Sequence, residues 1–371
     1  MNSDKPLDRR DFLGASLGIG TGTLLAGLGL AGCASTPPRS AAPAAPVAGG
    51  RPPRPPEPAF SQPPPLKDLK GKVAYISASS DGIGLGIARA ASNAGMKVVI
   101  GYRNEERLKA ALPLFKPGNA GVMPFKHDVT DRDGWKAMVE AVKGKYGKLH
   151  LVVNNAGIKT LRQASQAKFD EWDNAVAVNF TAIYNSVAAC LPHMLEHGEG
   201  GHFVTTASMG GLLPGVNAGV YTSTKIAAVG LMEALRVELE STNIGTGVFC
   251  PGGVTTDNYV GMDEPNPFRK LPPGMTPAAM AARMASNSMS PLEAGERVMN
   301  GVVNNDLFIL SHPEFGPGMK ERFDAIMAST PPVETPIPPE RIAYEQGVMH
   351  CGIYPREIAH RRPKRSSYRT A

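Results

Sequence analysis

Residues 72–92 read KVAYISASSDGIGLGIARAAS and contain three elements in a row. A short apolar run, 72–77, passes directly into a turn of small residues, 78–84, and then into a helical pattern, 85–92. In such a strand–turn–helix unit the first N–H groups of the helix point at an anion, and the helix dipole favours negative charge there. Gly82 and Gly84 let the backbone approach a pyrophosphate closely. The stretch therefore predicts a phosphate-binding turn at the end of a buried strand.

Further apolar runs follow at the spacing of strand–helix–strand units. They are 96–102, 122–127, 149–153, 201–206, 245–250 and 306–310. Strands that alternate with helical patterns of ten to fifteen residues are typical of a parallel sheet. We therefore expect an α/β fold with a Rossmann-like, doubly wound parallel sheet of about seven strands and helices on both faces. Ligands of such sheets lie beyond the carboxyl ends of the strands.

The second predicted strand ends in Tyr102 and Arg103, where a dinucleotide fold meets the adenosine ribose. Position 102 has no carboxylate to accept hydrogen bonds from a free 2′-hydroxyl. Arg103 is suited to pair with a 2′-phosphate. An ordinary exposed arginine is the alternative interpretation of this residue.

Residues 205–225 read TTASMGGLLPGVNAGVYTSTK and carry the candidate chemistry. Tyr221 and Lys225 fall at i and i+4 of a predicted helix, so their side chains share one face. A neighbouring ammonium favours the phenolate and lowers the pKa of a tyrosine from about 10 towards neutral pH. The Ser208 hydroxyl could hold the same substrate oxygen. The pair alone is weak, because Tyr and Lys occur four apart by chance in many helices.

Taken together, these elements resemble the short-chain dehydrogenase/reductase family, in its compact single-domain branch. The resemblance covers about Leu66 to Met327 and includes the sequence Asn154-Asn-Ala-Gly157. It implies a catalytic tetrad of Asn179, Ser208, Tyr221 and Lys225. It implies no metal, and a nicotinamide dinucleotide held by Ser77, Ser79, Asp81, Gly82, Ile83, Gly84, Tyr102, Arg103, Asp128, Val129, Asn155, Ala156, Gly157, Tyr221, Lys225, Pro251, Gly252, Val254 and Thr256.

Two positions depart from the family pattern. Ala78 stands where the family has its first loop glycine, and Ser77 stands where it has threonine. Asp81 precedes Gly82, whereas members that prefer NADP often carry a basic residue there. An acid so placed would repel a 2′-phosphate. Arg103 favours NADP(H) and Asp81 opposes it. With no acid at position 102, we expect NADP(H) to be preferred over NAD(H).

The resemblance implies an oxidoreductase that interconverts a carbonyl and an alcohol by hydride transfer, with Tyr221 as general acid/base. The alternatives are a non-catalytic dinucleotide-binding sensor or scaffold tethered to a membrane, and an epimerase or dehydratase of related fold. Residues 258–290 contain five methionines, which suits a lid over an apolar substrate. Packing of those methionines in a core is the competing interpretation.

The N-terminal segment predicts export. Arg9 and Arg10 precede an apolar run, 13–31, and residues 1–35 resemble a twin-arginine signal. The run ends in Leu30-Ala31-Gly32-Cys33, which resembles a lipoprotein cleavage site with Cys33 as the lipidated residue. The Pro- and Ala-rich stretch 36–65 reads as an extended linker. We therefore expect the twin-arginine export machinery as a partner and a location at the periplasmic face of a bacterial membrane.

Charge and composition bound the remaining partners. The net charge of +6 is concentrated at the ends, and residues 356–371 alone hold six basic side chains and one acid. The body of the chain, 66–329, is near neutral, which argues against nucleic acid as a partner. For the Pro-rich and basic C-terminal extension, 330–371, we expect only docking along the domain or a contact between subunits. Family habit suggests a homodimer or homotetramer. Cys190 and Cys250 lie in apolar segments and are expected in the core.

Overall fold

The computed structural model describes residues 62–115, 121–255, 288–332, 336–349 and 352–361, together with positions 274, 276, 279, 282, 367 and 369. The predicted export signal with Cys33, the linker up to residue 61, Thr256 and almost all of the predicted lid lie outside these residues.

Seven parallel strands form one sheet, as predicted. Their order is β3-β2-β1-β4-β5-β6-β7. The strands are β1 (Val73–Ile76), β2 (Lys97–Tyr102), β3 (Val122–Lys126), β4 (Leu151–Asn154), β5 (Gly201–Thr206), β6 (Ile244–Cys250) and β7 (Phe308–Leu310). The order reverses direction between β1 and β4, so the loops after these two strands diverge and leave a crevice for a ligand.

Helices cover both faces of the sheet. They are α1 (Gly82–Asn93), α2 (Glu105–Ala111), α3 (Arg132–Tyr146), α4 (Phe169–Val176), α5 (Ala182–His197), α6 (Gly219–Glu238), α7 (Pro291–Asn304), α8 (Gly316–Ala328), α9 (Pro339–Met349) and α10 (Ile353–His360). One core joins the sheet to α3, α5 and α6, and the other joins it to α1 and α7. Cys190 and Cys250 are buried and free, which confirms their core assignment. Because helices cover both faces of the sheet, the side chains on both sides of each strand are buried, and the strands read as continuous apolar runs.

Helices α1 and α7 pack backbone against backbone. A Cβ atom added to Gly86 would lie 1.7 Å from the carbonyl oxygen of Pro291, and one added to Gly295 would lie 2.3 Å from that of Gly86. Neither position tolerates a side chain. This contact holds in place the N-terminal half of α1, where the predicted phosphate-binding turn ends.

The helix predicted over about 169–196 contains a wider segment that the sequence did not indicate. Residues Ala177–Thr181 form a π-helical turn between α4 and α5. Asn179 lies within it and is buried. Such turns are rare and occur often at functional sites. By length and hydropathy Phe169–His197 is the one helix among the described residues that could span a membrane, and 44% of its most apolar window is buried inside the domain.

Residues at both ends of the described chain join the domain at the starting edge of the sheet. Gln62, assigned to the linker by sequence, is buried, and its amide donates to the carbonyl oxygens of Leu239 and Ile244 at 3.2 and 3.1 Å. Helix α10 docks through Arg356, which pairs with Glu240 at 2.5 Å. The Glu357 carboxylate accepts the N–H of Leu307 at 3.3 Å. Part of the C-terminal extension is therefore folded onto the domain.

Candidate active site and cofactor pocket

The predicted phosphate turn connects β1 to α1. Ala78 has a φ of +47° and Gly82 a φ of +51°, so both adopt the left-handed region. Ser79 is buried, and its hydroxyl donates to the carbonyl oxygen of Ile76 at 2.7 Å. Asp81 precedes the helix without capping it through its side chain. The turn therefore presents the N-terminus of α1, while Ser79 shapes the turn from within.

Ser77 and Asn155 lock the ends of β1 and β4 together. The Ser77 hydroxyl oxygen accepts the N–H groups of Asn155 and Ala156, both at 2.9 Å. The Asn155 amide donates to the carbonyl oxygens of Ser77 and Ala78 at 3.2 and 3.3 Å. A Cβ atom on Gly84 would lie only 2.3 Å from the Ala78 oxygen. These predicted binding residues thus act on the shape of the turn.

A cavity of about 370 Å³ opens at the carboxyl ends of β1 to β4. The predicted residues among its walls are Asp81, Tyr102, Arg103, Asp128, Val129, Ala156 and Gly157. The walls also include residues that the sequence analysis missed, namely Ala78, Ser80, Asn104, Arg107, His127, Ile158 and Val178. Most of the missed residues are chain neighbours of predicted ones. Arg107 lies in the first helix after the second strand, four positions beyond Arg103, and this basic pair is the signal that could have found it.

Two ion pairs cross the mouth of this cavity. Arg103 pairs with Asp128 at 3.2 Å, and Arg107 pairs with Asp81. The pKa of Asp128 is lowered, first by the N–H of Thr130 and further by Arg103. Both pairs are partly exposed, so their strength depends on salt. The Asp81 charge that opposed a 2′-phosphate in the sequence analysis is therefore compensated by a second arginine.

Ser208 and Tyr221 flank one glycine. The Ser208 hydroxyl oxygen accepts the N–H of Gly210 at 3.1 Å, which leaves its own proton to be donated. A Cβ atom on Gly210 would lie 3.3 Å from Cε1 of Tyr221 and 3.5 Å from Oγ of Ser208. A side chain at position 210 would therefore crowd both the phenol ring and the hydroxyl.

Lys225 lies one turn after Tyr221 on α6 and is buried. Its Nζ donates to the carbonyl oxygen of Thr206 at 2.9 Å and lies 5.6 Å from the centre of the Tyr221 ring. Burial lowers the pKa of Lys225 to about 8. A buried ammonium at this distance stabilises negative charge on a phenol. The predicted spacing therefore places the ammonium beside the phenol ring, and a lowered pKa of Tyr221 stays a prediction.

Asn179 holds the loop that follows β4. Its Oδ1 accepts the N–H of Ile158 at 2.8 Å, and its Nδ2 donates to the Ile158 oxygen at 2.9 Å and to Oγ1 of Thr224 at 3.1 Å. A Cβ atom on Gly157 would lie 3.3 Å from both Asn179 Oδ1 and Lys225 Nζ. Asn179 and Lys225 therefore meet at Gly157, which is also a wall of the cavity.

The loop after β6 is held by a histidine that sequence reasoning missed. Gly252 N–H donates to Nδ1 of His312, and Nε2 of His312 donates to the Gly253 oxygen, both at 3.0 Å. The carbonyl of Pro251 accepts the N–H of Met209 at 2.9 Å, which ties this loop to the segment after Ser208. Pro251, Gly252 and Val254 are thus beside the candidate chemistry, although they do not line the described cavity.

Comparisons with known proteins agree with this geometry. A family model described as short chain dehydrogenase matches residues 72–266, just over half of the chain. A Cα-dehydrogenase of Sphingobium is 27% identical over 73% of this chain and 90% of its own. A 3β-hydroxysteroid dehydrogenase of Eggerthella lenta is 30% identical over 61% and 85% of the two chains.

Solved structures give the same result. A short-chain dehydrogenase from Novosphingobium aromaticivorans superposes with a TM-score of 0.66 at 30% identity, over 78% of this chain and 99% of that one. A short-chain dehydrogenase/reductase from Burkholderia phymatum, solved with NAD, has a TM-score of 0.63 at 25% identity, over 73% and 99%. With its sheet order and its matched segment, the chain belongs to the short-chain dehydrogenase/reductase family and is an oxidoreductase.

Proposed function

We propose that the chain is an NAD(P)-dependent dehydrogenase/reductase that interconverts a carbonyl and an alcohol, with Tyr221 as general acid/base. The observation that carries this proposal is the position of Gly157. This glycine lines the cavity, and its Cα faces both Asn179 Oδ1 and Lys225 Nζ. Gly157 therefore connects the cavity to Asn179 and Lys225, two of the proposed catalytic side chains, at the carboxyl ends of the strands.

The residues present fit a nicotinamide dinucleotide. The N-terminus of α1 faces the turn 78–84, which suits a pyrophosphate. The cavity lies at the point where the strand order reverses, where dinucleotides bind in such sheets. The named complex of the Burkholderia phymatum relative with NAD adds support. When bound, the nicotinamide supplies or accepts the hydride.

The proposed catalytic side chains would transfer the proton that accompanies the hydride. In the reductive direction Tyr221 donates its phenol proton to the carbonyl oxygen, and the Ser208 O–H donates a hydrogen bond to the same oxygen. The Lys225 ammonium stabilises the phenolate that remains. Asn179 keeps Ile158 in place beside this group through two main-chain hydrogen bonds. Proton exchange with solvent through a water near Asn179 and Lys225 completes the proposal.

The proposed preference for NADP(H) rests on two arginines. Arg103 and Arg107 both line the mouth of the cavity beside Tyr102. Guanidinium groups pair well with phosphate oxygens. Each arginine has an acidic partner, and a carboxylate displaced by a 2′-phosphate would oppose its binding, which limits the gain. With both pairs intact the mouth is nearly neutral, and the preference over NAD(H) is modest.

The proposed substrate is a bulky, apolar alcohol or ketone, and the proposed location is the periplasmic face of a membrane. The name of the Eggerthella lenta relative denotes a hydroxysteroid, an alcohol of this class. Twin-arginine export moves folded proteins, so the chain would carry its cofactor with it and release it slowly. Lipidation at Cys33 would anchor it, and exposed Phe169, Trp172 and Tyr184 on α4 and α5 suit a homodimer contact.

The test is a mass analysis of nucleotide bound to the exported protein, followed by titration of the emptied protein with NADPH and NADH. Co-purified nicotinamide dinucleotide, tighter NADPH binding and consumption of reduced cofactor with apolar ketones are expected. Absence of bound nucleotide together with no saturable binding of either cofactor would contradict the proposal.

A further inference from the structure

Four lysines are grouped at the edge of the sheet where the strands begin. Lys67 and Lys70 lie in the turn before β1, Lys97 is the first residue of β2, and Lys145 lies in the last turn of α3, which leads into β4. All four are exposed. Because parallel strands start at one edge of their sheet, these residues share one side of the domain, here named the lysine face.

The charges of the lysine face are largely uncompensated. Within the described ranges none of its four lysines makes an ion pair, whereas the neighbouring Lys72 and Lys148 both pair with Glu199. Asp68 is the exposed acid in the same turn, and it accepts the main-chain N–H of Lys70 at 2.9 Å. The lysine face therefore presents a net positive charge, although the body of the chain is near neutral.

Two of the lysines border an aromatic ring. The ammonium groups of Lys97 and Lys145 lie 5.3 and 5.4 Å from the centre of the Tyr146 ring. Long lysine side chains that rest on an apolar surface keep their charged ends in water. The shared ring brings these two exposed charges close together, as binding to an anionic surface would require.

The chain joins the described domain at the same edge. Gln62 is fixed by Leu239, Ile244 and the Asn305 amide, which donates to the Gln62 main-chain oxygen at 3.0 Å. These partners lie at the end of α6, the start of β6 and the turn before β7. The cavity and Tyr221 lie at the opposite edge, beyond the strand ends. The described chain therefore begins, at Gln62, on the side of the lysine face.

We propose that the lysine face is a contact surface for anionic lipid headgroups, which turns the cavity and Tyr221 away from the membrane. The proposed lipid anchor at Cys33 is needed here only because it would bring the domain close to the membrane. A linker of this length does not orient a domain by itself. Lysines near a negative surface do, and a single acyl chain is held stably when a basic patch adds a second attachment.

The experiment is lysine acetylation footprinting of the full chain reconstituted in vesicles of phosphatidylcholine alone or with phosphatidylglycerol. We expect acetylation at Lys70 and Lys145 to slow roughly threefold or more in the anionic vesicles, because the headgroups cover them. Lys109 on α2 and Lys168 before α4 are equally exposed elsewhere and serve as internal controls that keep their rates. Salt near 1 M should restore the rates, since it shortens the Debye length to about 3 Å.

A pair of double variants provides the matched comparison. Lys70→Gln/Lys145→Gln should remove most of the protection at Lys67 and Lys97, while Lys109→Gln/Lys168→Gln should leave it intact. Equal rates in both vesicle types, or protection of Lys109 and Lys168, would overturn the proposal. Equal protection by duplex DNA at the same phosphate concentration would also overturn the proposal, because it would show that the lysine face binds any polyanion. Turnover of soluble substrate is independent of these outcomes, so failure here leaves the proposed chemistry standing.

Discussion

Lys225 Nζ donates a 2.9 Å hydrogen bond to the carbonyl oxygen of Thr206, at the end of β5. This bond joins α6 to the centre of the sheet and holds a buried ammonium one turn from Tyr221. The ammonium has lost most of its hydration, which is why its pKa is lowered to about 8. The site therefore keeps a charge that is costly for the fold and useful for the proposed chemistry.

Lys225→Met is expected to stabilise the cofactor-free protein at neutral pH and to remove turnover. The folded-state pKa of about 8 lies below the ordinary lysine value of 10.5, so between these pH values the unfolded chain binds more protons than the folded chain. Wild-type stability therefore rises with pH across this window. At pH 7 the burial costs up to about 3 kcal/mol, and the cost fades towards pH 10.

Urea unfolding at pH 7 and at about pH 9.5 measures this effect. The advantage of Lys225→Met over wild type should shrink at the higher pH. Lys168→Met, at an exposed lysine, is the control and should show no such advantage. A Lys225→Met protein that is less stable than wild type at pH 7 would contradict the account of burial.

Ala78→Gly should stabilise the protein. Ala78 has a φ of +47°, where a Cβ atom clashes with the backbone and costs roughly 1–2 kcal/mol, and glycine avoids that clash. The greater freedom of glycine in the unfolded chain offsets part of the gain, which leaves about 1 kcal/mol or less. The control Ala90→Gly, inside α1, should lose stability. A loss of stability in Ala78→Gly, measured by urea unfolding, would show that the left-handed turn is not strained.

Arg107→Ala should weaken NADP⁺ binding more than NAD⁺ binding. The change removes one candidate phosphate partner and leaves the Asp81 carboxylate uncompensated beside the cavity. Asp81→Asn should act in the opposite direction and favour NADP⁺. Titration calorimetry of both cofactors gives the ratio of dissociation constants, which we expect to change several-fold. Lys109→Ala, on the same helix, is the control. An unchanged ratio in Arg107→Ala would exclude this arginine from cofactor selection.

His312→Ala should loosen the loop after β6 without unfolding the domain. The variant loses two main-chain hydrogen bonds, at Gly252 N–H and at the Gly253 oxygen, each worth about 1 kcal/mol. Amide exchange at Gly252 should therefore become faster, while exchange at Ala207, which donates to Phe249 in the sheet, stays slow. Ser311→Ala removes only a side-chain contact to His312 and should have the smaller effect. Equal exchange at Gly252 in His312→Ala and wild type would refute the role of this histidine.

The strand-end motifs could be predicted because each one is local in sequence. A turn such as 78–84 contains its own glycines and its own helix start, and Tyr221 and Lys225 are related by helical spacing alone. The sheet order then brought separate turns to one edge without any further signal. For this reason the fold class followed from pattern and resemblance, as did the placing of Ser208, Tyr221 and Lys225 near one edge of the sheet.

Side-chain partners far apart in sequence could not be predicted. Asp81 and Arg107 are separated by 26 positions, and Gly252 and His312 by 60. Their contacts depend on how α2 and the end of β7 pack against the sheet, which no short pattern encodes. The π-helical turn at Asn179 was missed for a related reason, since residues 177–181 contain no glycine or proline that would mark a change in the helix. Gln62 was assigned to the linker because its partners lie far away in sequence, near positions 239–244, and no local pattern indicates the contact.

Tyr221→Phe tests the central claim most directly. The phenylalanine ring preserves the packing against Gly210 and removes only the phenol group that would donate the proton. With bound reduced cofactor and an apolar ketone, single-turnover oxidation of the nicotinamide should fall by a factor of at least 10² to 10⁴, while cofactor affinity changes little. Turnover within a few-fold of wild type would contradict the assignment of Tyr221 as general acid/base.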